Sequence, residues 1–417
     1  MRYHGPMKTL AIIGGGAAGL AAAVEASREA RARSSEVGIT VYEADGRVGK
    51  SILATGNGRC NLSNAKSDAS AYRNAGFVGD AYRALPPAEV RSFFGDLGLV
   101  MREDGEGRLY PLTNKASSVL DVLRFAAREG GVQEACGAEA VAVTPVDGRF
   151  LVCFADDGTV FADAVVIACG GGAAQSLVPP GYGFADVRPV LGPLKTERAP
   201  LKGLNNIRVR CEASLYGRPA EAGARDRRRL HAGGALKARE TGEVLFRDYG
   251  VSGIAVFDLS RFAEAGDVLS LDLVSGMGEA ELAADLASRA ERFGARSAVD
   301  LVSGMLLAPV ARAVLASIGV QPDAPLSRGR TADLARAAKS FALEVAGIGD
   351  VRQCQVSRGG FDVASFAPET MESRLHAGLH VVGEALDVDA PCGGYNLHWA
   401  WTSGMLAARN AVGRLCR

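Results

Sequence analysis

At 417 residues and 48% hydrophobic content, the chain can bury a large core and divide into two or three domains. Lys plus Arg and Asp plus Glu each total 47, so no net field draws nucleic acid or an anionic membrane, and an anionic ligand must be held by local geometry. The eight cysteines (60, 136, 153, 169, 211, 354, 392 and 416) form no CxxC pair and no Cys/His cluster, which disfavours a metal centre, a disulfide framework and a dithiol redox pair and fits a reducing cytoplasm.

Residues 8–13, KTLAII, read as a short buried strand. The run ends in GGGAAGL without a cleavage site, so no signal peptide is expected, and no apolar stretch of about 18 residues predicts a membrane span. AAAVEASREARAR has helical composition with a charged face, and GITVYEA reads as a second strand. Gly14, Gly16 and Gly19 thus take the GxGxxG positions of a strand–loop–helix–strand unit, and Glu43 closes the second strand. Gly14 permits the turn, Gly16 lets a pyrophosphate approach, Gly19 lets helix and strand pack, and the helix N-terminus offers amides and partial positive charge. The interval to Glu43 exceeds the usual one of about 20 residues, which a long first helix and the loop RSSEVG absorb.

TGNGRCNLSN (55–64) follows, and its residue types alone admit a metal loop, a nucleophile loop, an anion-binding loop or a tight turn. Residues 143–172 alternate around DG turns as an antiparallel meander leading to a buried strand, AVVIACGG. A second nucleotide fingerprint at GGGAAQ is disfavoured, because Gln175 stands where the third glycine belongs.

From Pro193, LNNIRVRCEASLYG, GGALKARETGEVLFRDYGVSGIAVFDLS and DVLSLDLV read as strands of an inserted barrel or sandwich. Residues 278–318 read as helical, and the RRR run near 228 as a solvated loop. GLHVVGEALD is a further strand, and YNLHWAWTSGMLAARNAVGRL is a helix opened by a glycine pair, an arrangement suited to an anion or carbonyl. The expected division is 1–192 and 351–417 as one domain, 193–277 and 331–350 as the inserted β domain, and 278–330 as a helical subdomain.

IIGGGAAGLAAA, GKSILATGNGRCNLSN and GEALDVDAPCGGYNLHWAWTSG, with GRLYPLTNKASSVLDVL, GEVLFRDYGVSG and QVSRGGFDV, resemble the bacterial aminoacetone oxidase-like FAD-binding family, which includes a 3-dehydro-bile-acid reductase branch. The resemblance spans nearly the whole chain. It implies an α/β fold: a Rossmann-type FAD-binding domain with an inserted β-barrel-like domain and a small helical subdomain. It also implies a cofactor site at Gly14, Gly16, Ala17, Ala18, Gly19, Glu43, Ala44 and Lys50, at Thr55, Gly56, Asn57, Gly58, Arg59, Cys60 and Asn61, at Cys169, Gly170, Gly383 and Glu384, and at Gly393, Gly394, Tyr395, Asn396 and Leu397. Two departures stand out: ACGG replaces ATGG at Cys169, and His398 takes the place of a common glutamine before Trp399.

The expected activity is hydride transfer between FAD and a small organic substrate between the two domains, with NADH or NADPH as an external reductant. The catalytic acid or base is left open among His398, Cys60 and Arg59, with packed, hydrogen-bonded roles the stronger expectation for the histidine and the thiol. Rival readings are a flavin-dependent nucleic-acid modifying enzyme and a flavin-binding protein without turnover. Oligomeric state is not legible.

Overall fold

The computed structural model describes residues 7–218 and 234–417; the arginine run at 227–229 lies outside the described residues. Contacts divide the chain into one unit running up to Arg188 and resuming at Val356–Arg417, and a second, Pro189–Gln355.

In the first unit, β1 (Lys8–Ile13) leads through α1 (Ala17–Ala32) to β2 (Val37–Glu43) and the short α2 (Lys50–Ala54). A two-residue β3 (Ser63–Asn64), α3 (Ala75–Ala84), α4 (Pro87–Asp96), β4 (Met101–Glu103), β5 (Arg108–Pro111) and α5 (Ala116–Glu129) follow. β6 (Gln133–Cys136) precedes the meander β7 (Ala140–Val146), β8 (Arg149–Phe154) and β9 (Thr159–Ala162), which feeds β10 (Ala164–Ile167), α6 (Gly171–Leu177) and β11 (Phe184–Val190).

The second unit contains β12 (Leu194–Thr196), β13 (Arg208–Tyr216), β14 (Leu236–Arg247), β15 (Gly250–Ser252), α7 (Ile254–Ser260) and β16 (Val268–Asp272). Helices α8 (Glu279–Arg292), α9 (Ala298–Leu301), α10 (Ala308–Ser317) and α11 (Thr331–Lys339) precede β17 (Phe341–Ile348). The strands close a barrel in the order β12-β15-β14-β13-β16-β17. Alternation does the sorting: Cys211, Ala213 and Leu215 are buried inward with Leu269, Leu271 and Leu343, while Glu212 and Ser214 face the other way.

Two expectations are corrected here. IAVFDLS is the helix α7 and not a strand, because it buries Ala255, Val256 and Leu259 at helical spacing after Gly253; a short apolar run carries no period of its own. Likewise 331–339, expected as β, is helix α11, whose Leu334, Ala335 and Ala338 share one buried face.

The chain returns to the first unit through β18 (Val356–Phe361), β19 (Leu379–Val381) and α12 (Tyr395–Leu415). Its main sheet runs β19-β10-β1-β2-β6, all pairs parallel. Leu10, Ala11, Ile12 and Ile13 are all buried, as strands covered on both faces require. α12 lies against α1 so closely that a Cβ on Gly404 would overlap the Ala18 carbonyl. Small residues thus set the approach of the two helices.

Candidate functional site

Because the sheet is parallel, β1, β2, β10 and β19 all end on one edge, and strand order reverses on either side of β1. Such a switch point opens a crevice at the carboxyl ends of the strands. Gly14 stands there at φ +106°, and a Cβ on it would lie 2.7 Å from the Ala168 carbonyl oxygen; a Cβ on Gly19 would overlap the Gly14 carbonyl. Gly16 differs: a Cβ there would meet only Ser51 Oγ, at 3.2 Å. That glycine therefore leaves space that the protein itself does not fill.

Ala17 and Ala18 form the first turn of α1, where amides lack intrahelical acceptors. Glu43 accepts from Gly15 N at 2.7 Å and from Asp45 N at 2.8 Å, so its carboxylate is fixed beside the glycine loop. Ala44 is exposed in the following turn, and Lys50, also exposed, pairs with Asp45 at 2.8 Å. Cys169 and Gly170 follow β10, and burial pushes the Cys169 thiol up to about 12. Gly383 and Glu384 follow β19; Gly383 N donates to Ser403 Oγ at 3.0 Å, and burial pushes the Glu384 carboxyl up to about 7.

The loop at 55–61 is built from left-handed backbone. Gly56, Asn57, Gly58 and Cys60 all have positive φ, which explains its glycine and asparagine content. Cys60 in that conformation is the unusual member, and it is fully buried. Burial also pushes its thiol up to about 11, which favours the neutral, packed form. Thr55 Oγ1 donates to Ile52 O at 2.7 Å. Arg59 is exposed, with its guanidinium over the Tyr110 ring at 5.4 Å, where Arg102 also lies at 5.0 Å. Asn61 Oδ1 is buried without a partner.

This loop and the start of α12 are joined. Asn64 Nδ2 donates to Gly393 O at 2.9 Å, Ser63 Oγ bonds His398 Nδ1 at 2.7 Å, and Trp401 Nε1 donates to Leu62 O at 2.8 Å. Gly394 has φ +96°, and a Cβ there would lie 2.6 Å from the Ser63 carbonyl carbon and 2.7 Å from Asn61 Oδ1. Tyr395, Asn396 and Leu397 begin the helix, and the Asn396 side chain clamps Ala390 with two bonds of 2.9 Å. Tyr72 OH donates to Tyr395 O at 2.8 Å and receives from Tyr82 OH at 2.8 Å.

His398 is only 1% exposed, burial pushes its imidazole down to about 4, and its Nε2 has no partner. Burial thus disfavours the charged ring, which ties β3 to α12 through Ser63. Sequence reasoning passed over Ser63, Asn64, Tyr72 and Tyr82. The first two lie inside TGNGRCNLSN, where the run of small polar residues was the available signal; nothing local marks the tyrosines.

The family model described as "HI0933-like protein Rossmann domain" matches residues 8–410. A 3-dehydro-bile acid delta(4,6)-reductase of Clostridium scindens is 32% identical over 98% of this chain and 100% of its own length. A ribosomal RNA dihydrouridine synthase of Escherichia coli is 26% identical over 96% of this chain and 97% of its own. Among solved structures, a 3-ketosteroid-delta4-(5alpha)-dehydrogenase of Rhodococcus jostii matches 100% of this chain and 98% of its own at 14% identity and a TM-score of 0.46. The chain belongs to the HI0933-like Rossmann family.

Proposed function

We propose that the chain reduces a carbon–carbon double bond conjugated to a carbonyl in a small organic substrate, with FAD held along the carboxyl edge of the first unit's sheet. The observation that carries this reading is the joining of two distant segments, 55–64 and 393–397, by the Asn64–Gly393 and Ser63–His398 bonds, with Gly16 of the loop after β1 leaving open space and Asn61 Oδ1 left unsatisfied. Those features fit FAD. The first-turn amides of α1 suit a pyrophosphate, and the Glu43 carboxylate, already fixed by two amides, retains lone pairs for a ribose diol. Asn61 Oδ1 suits an N–H donor of the flavin's pyrimidine ring.

When bound, FAD supplies the hydride. The chain's own contribution is electrostatic. Gly394, Tyr395 and Asn396 open a 21-residue helix whose N-terminal amides and dipole favour negative charge beside them. The neutral His398 ring and the neutral Cys60 and Cys169 thiols add no anion to compete with it. Arg59, exposed and stacked, offers a cation without being buried.

The substrate class is supported by two full-length relatives, whose names denote hydrogenation of a double bond: delta(4,6) in a 3-dehydro bile acid, and uridine to dihydrouridine. A nucleic-acid base is the second reading, favoured by the synthase match and opposed by the balanced charge. Among the described residues no helix is long and apolar enough to cross a membrane. NADH or NADPH is the proposed reductant.

The test is anaerobic reduction of the purified yellow protein by NADH and NADPH, followed by reoxidation with a conjugated enone, its saturated ketone and a uridine-containing RNA. Rapid reoxidation by the enone and not by the ketone is expected. A reduced protein indifferent to the enone would sink the proposal, and reoxidation by RNA alone would install the second reading.

A further inference from the structure

We propose that the second unit carries a ligand site of its own for an amphipathic carboxylate, that is, an apolar body bearing one anionic group. A cavity of about 590 Å³ opens between α10, α11 and β17, within the range of roughly 300–1,000 Å³ usual for small-molecule sites. Its walls are Ala313 and Ala316 of α10, Ile318 beyond it, Ala337 of α11, and Phe341 and Ala342 of β17. The core does not need this face. α10 buries Val310, Ala311, Val314 and Leu315 elsewhere, and α11 buries Leu334, Ala335 and Ala338, while Ala316 stays exposed.

Charge selects the ligand's head. Lys202, Arg312 and Arg336 line the cavity against a single carboxylate, Asp333. Arg312 is matched by Asp323 at 2.9 Å, and Arg336 has only loose partners, Glu279 at 3.5 Å and Asp333 at 3.7 Å. Lys202 has no hydrogen-bond or ion-pair partner among the described residues. A monoanion meets an unmatched ammonium there, next to apolar walls that take the rest of the molecule.

The polar side of the ligand has a second place to go. A pocket of about 220 Å³, lined by Ser214, Tyr216, Arg239, Ser270 and Lys339 together with the carboxylates of Glu212 and Asp272, shares Ser340 with the cavity, and Ser270 Oγ bonds Ser340 Oγ at 2.8 Å. Hydroxyls on the apolar body could exchange hydrogen bonds with this row of serines. None of the residues proposed to hold FAD takes part, so the inference does not rest on the flavin reading.

An open-chain fatty acid and a polycyclic acid share this chemistry, and the experiment separates them. The full-length FAD-loaded protein is titrated calorimetrically with dodecanoate and with cholate, below their micellar concentrations, and with the methyl ester of each as the uncharged probe. Saturable one-site binding is expected for at least one carboxylate, weaker for its ester and weakened by salt. Lys202→Gln should weaken it about threefold to fivefold, the scale of one exposed ion pair. Ala316→Trp and Ala337→Phe, each checked for folding by circular dichroism, fill the space and should abolish it. Binding by one acid identifies the source, and by both a shared site; either supports the proposal. No saturable binding, ester binding equal to the acid's, or binding unchanged in a folded filling variant overturns it.

Discussion

Replacing Gly394 with alanine sets two costs against the turn that opens α12. The backbone is left-handed at φ +96°, which costs a residue with a Cβ about 1–2 kcal/mol. The new Cβ would also press within 2.6 Å of the Ser63 carbonyl carbon, and backbone cannot yield as a side-chain end does, so overpacking adds about 1–3 kcal/mol. Gly58→Ala isolates the first cost, because its φ is +80° and a Cβ there meets nothing within 4 Å. Gly394→Ala should therefore destabilise the first unit by about 2–5 kcal/mol, and Gly58→Ala by about 1–2. The chain's two tryptophans, Trp399 and Trp401, both lie on α12, so urea unfolding followed by their fluorescence reads this unit directly. FAD affinity should fall with Gly394→Ala, since relief of the clash moves β3 and breaks the Asn64–Gly393 and Ser63–His398 bonds. Equal destabilisation by the two variants would refute the packing argument.

Gly16→Ala should fold with near wild-type stability, since its Cβ meets only Ser51 Oγ, yet lose at least about tenfold in FAD affinity by blocking the pyrophosphate; unchanged affinity by equilibrium dialysis would place the cofactor elsewhere. His398 is held near 4 against an ordinary 6.5, so the unfolded chain binds a proton that the folded one refuses, and stability falls as pH drops from about 6.5 to 4, by about 3 kcal/mol. His398→Gln should flatten that part of the acid-unfolding profile, and an unaltered slope would mean the ring is protonated in the fold. Glu384 runs the other way: raised from 4.5 to about 7, it loses stability as pH rises through that window. Glu384→Gln should thus gain up to about 3 kcal/mol over wild type at pH 8 in FAD-stripped protein, and no gain there would show that the carboxylate is accommodated by its surroundings.

The sequence by itself determined the features that are local in the chain. KTLAII followed by glycines and an alanine-rich run could be read as strand, turn and helix because each signal lies within a few residues, and 208–216 could be read as a strand of the inserted domain. Local signals fail where a segment is short and uniformly apolar: IAVFDLS fits either period, and packing against the barrel decided for helix. The candidate site was legible as three motifs and illegible as a site. Asn64 meets Gly393 across 329 residues and Ser63 meets His398 across 335, and no spacing or propensity encodes such a pairing. For His398 the sequence left proton donation open beside a packed, hydrogen-bonded role, because composition records only that an imidazole is present, while burial, which shifts its pKa, depends on Tyr82 and β3 arriving from elsewhere in the chain. Covalent order supplies the residue types and their local periods; desolvation and close approach are properties of the assembled chain, so charge state and contact were decided only by the tertiary structure.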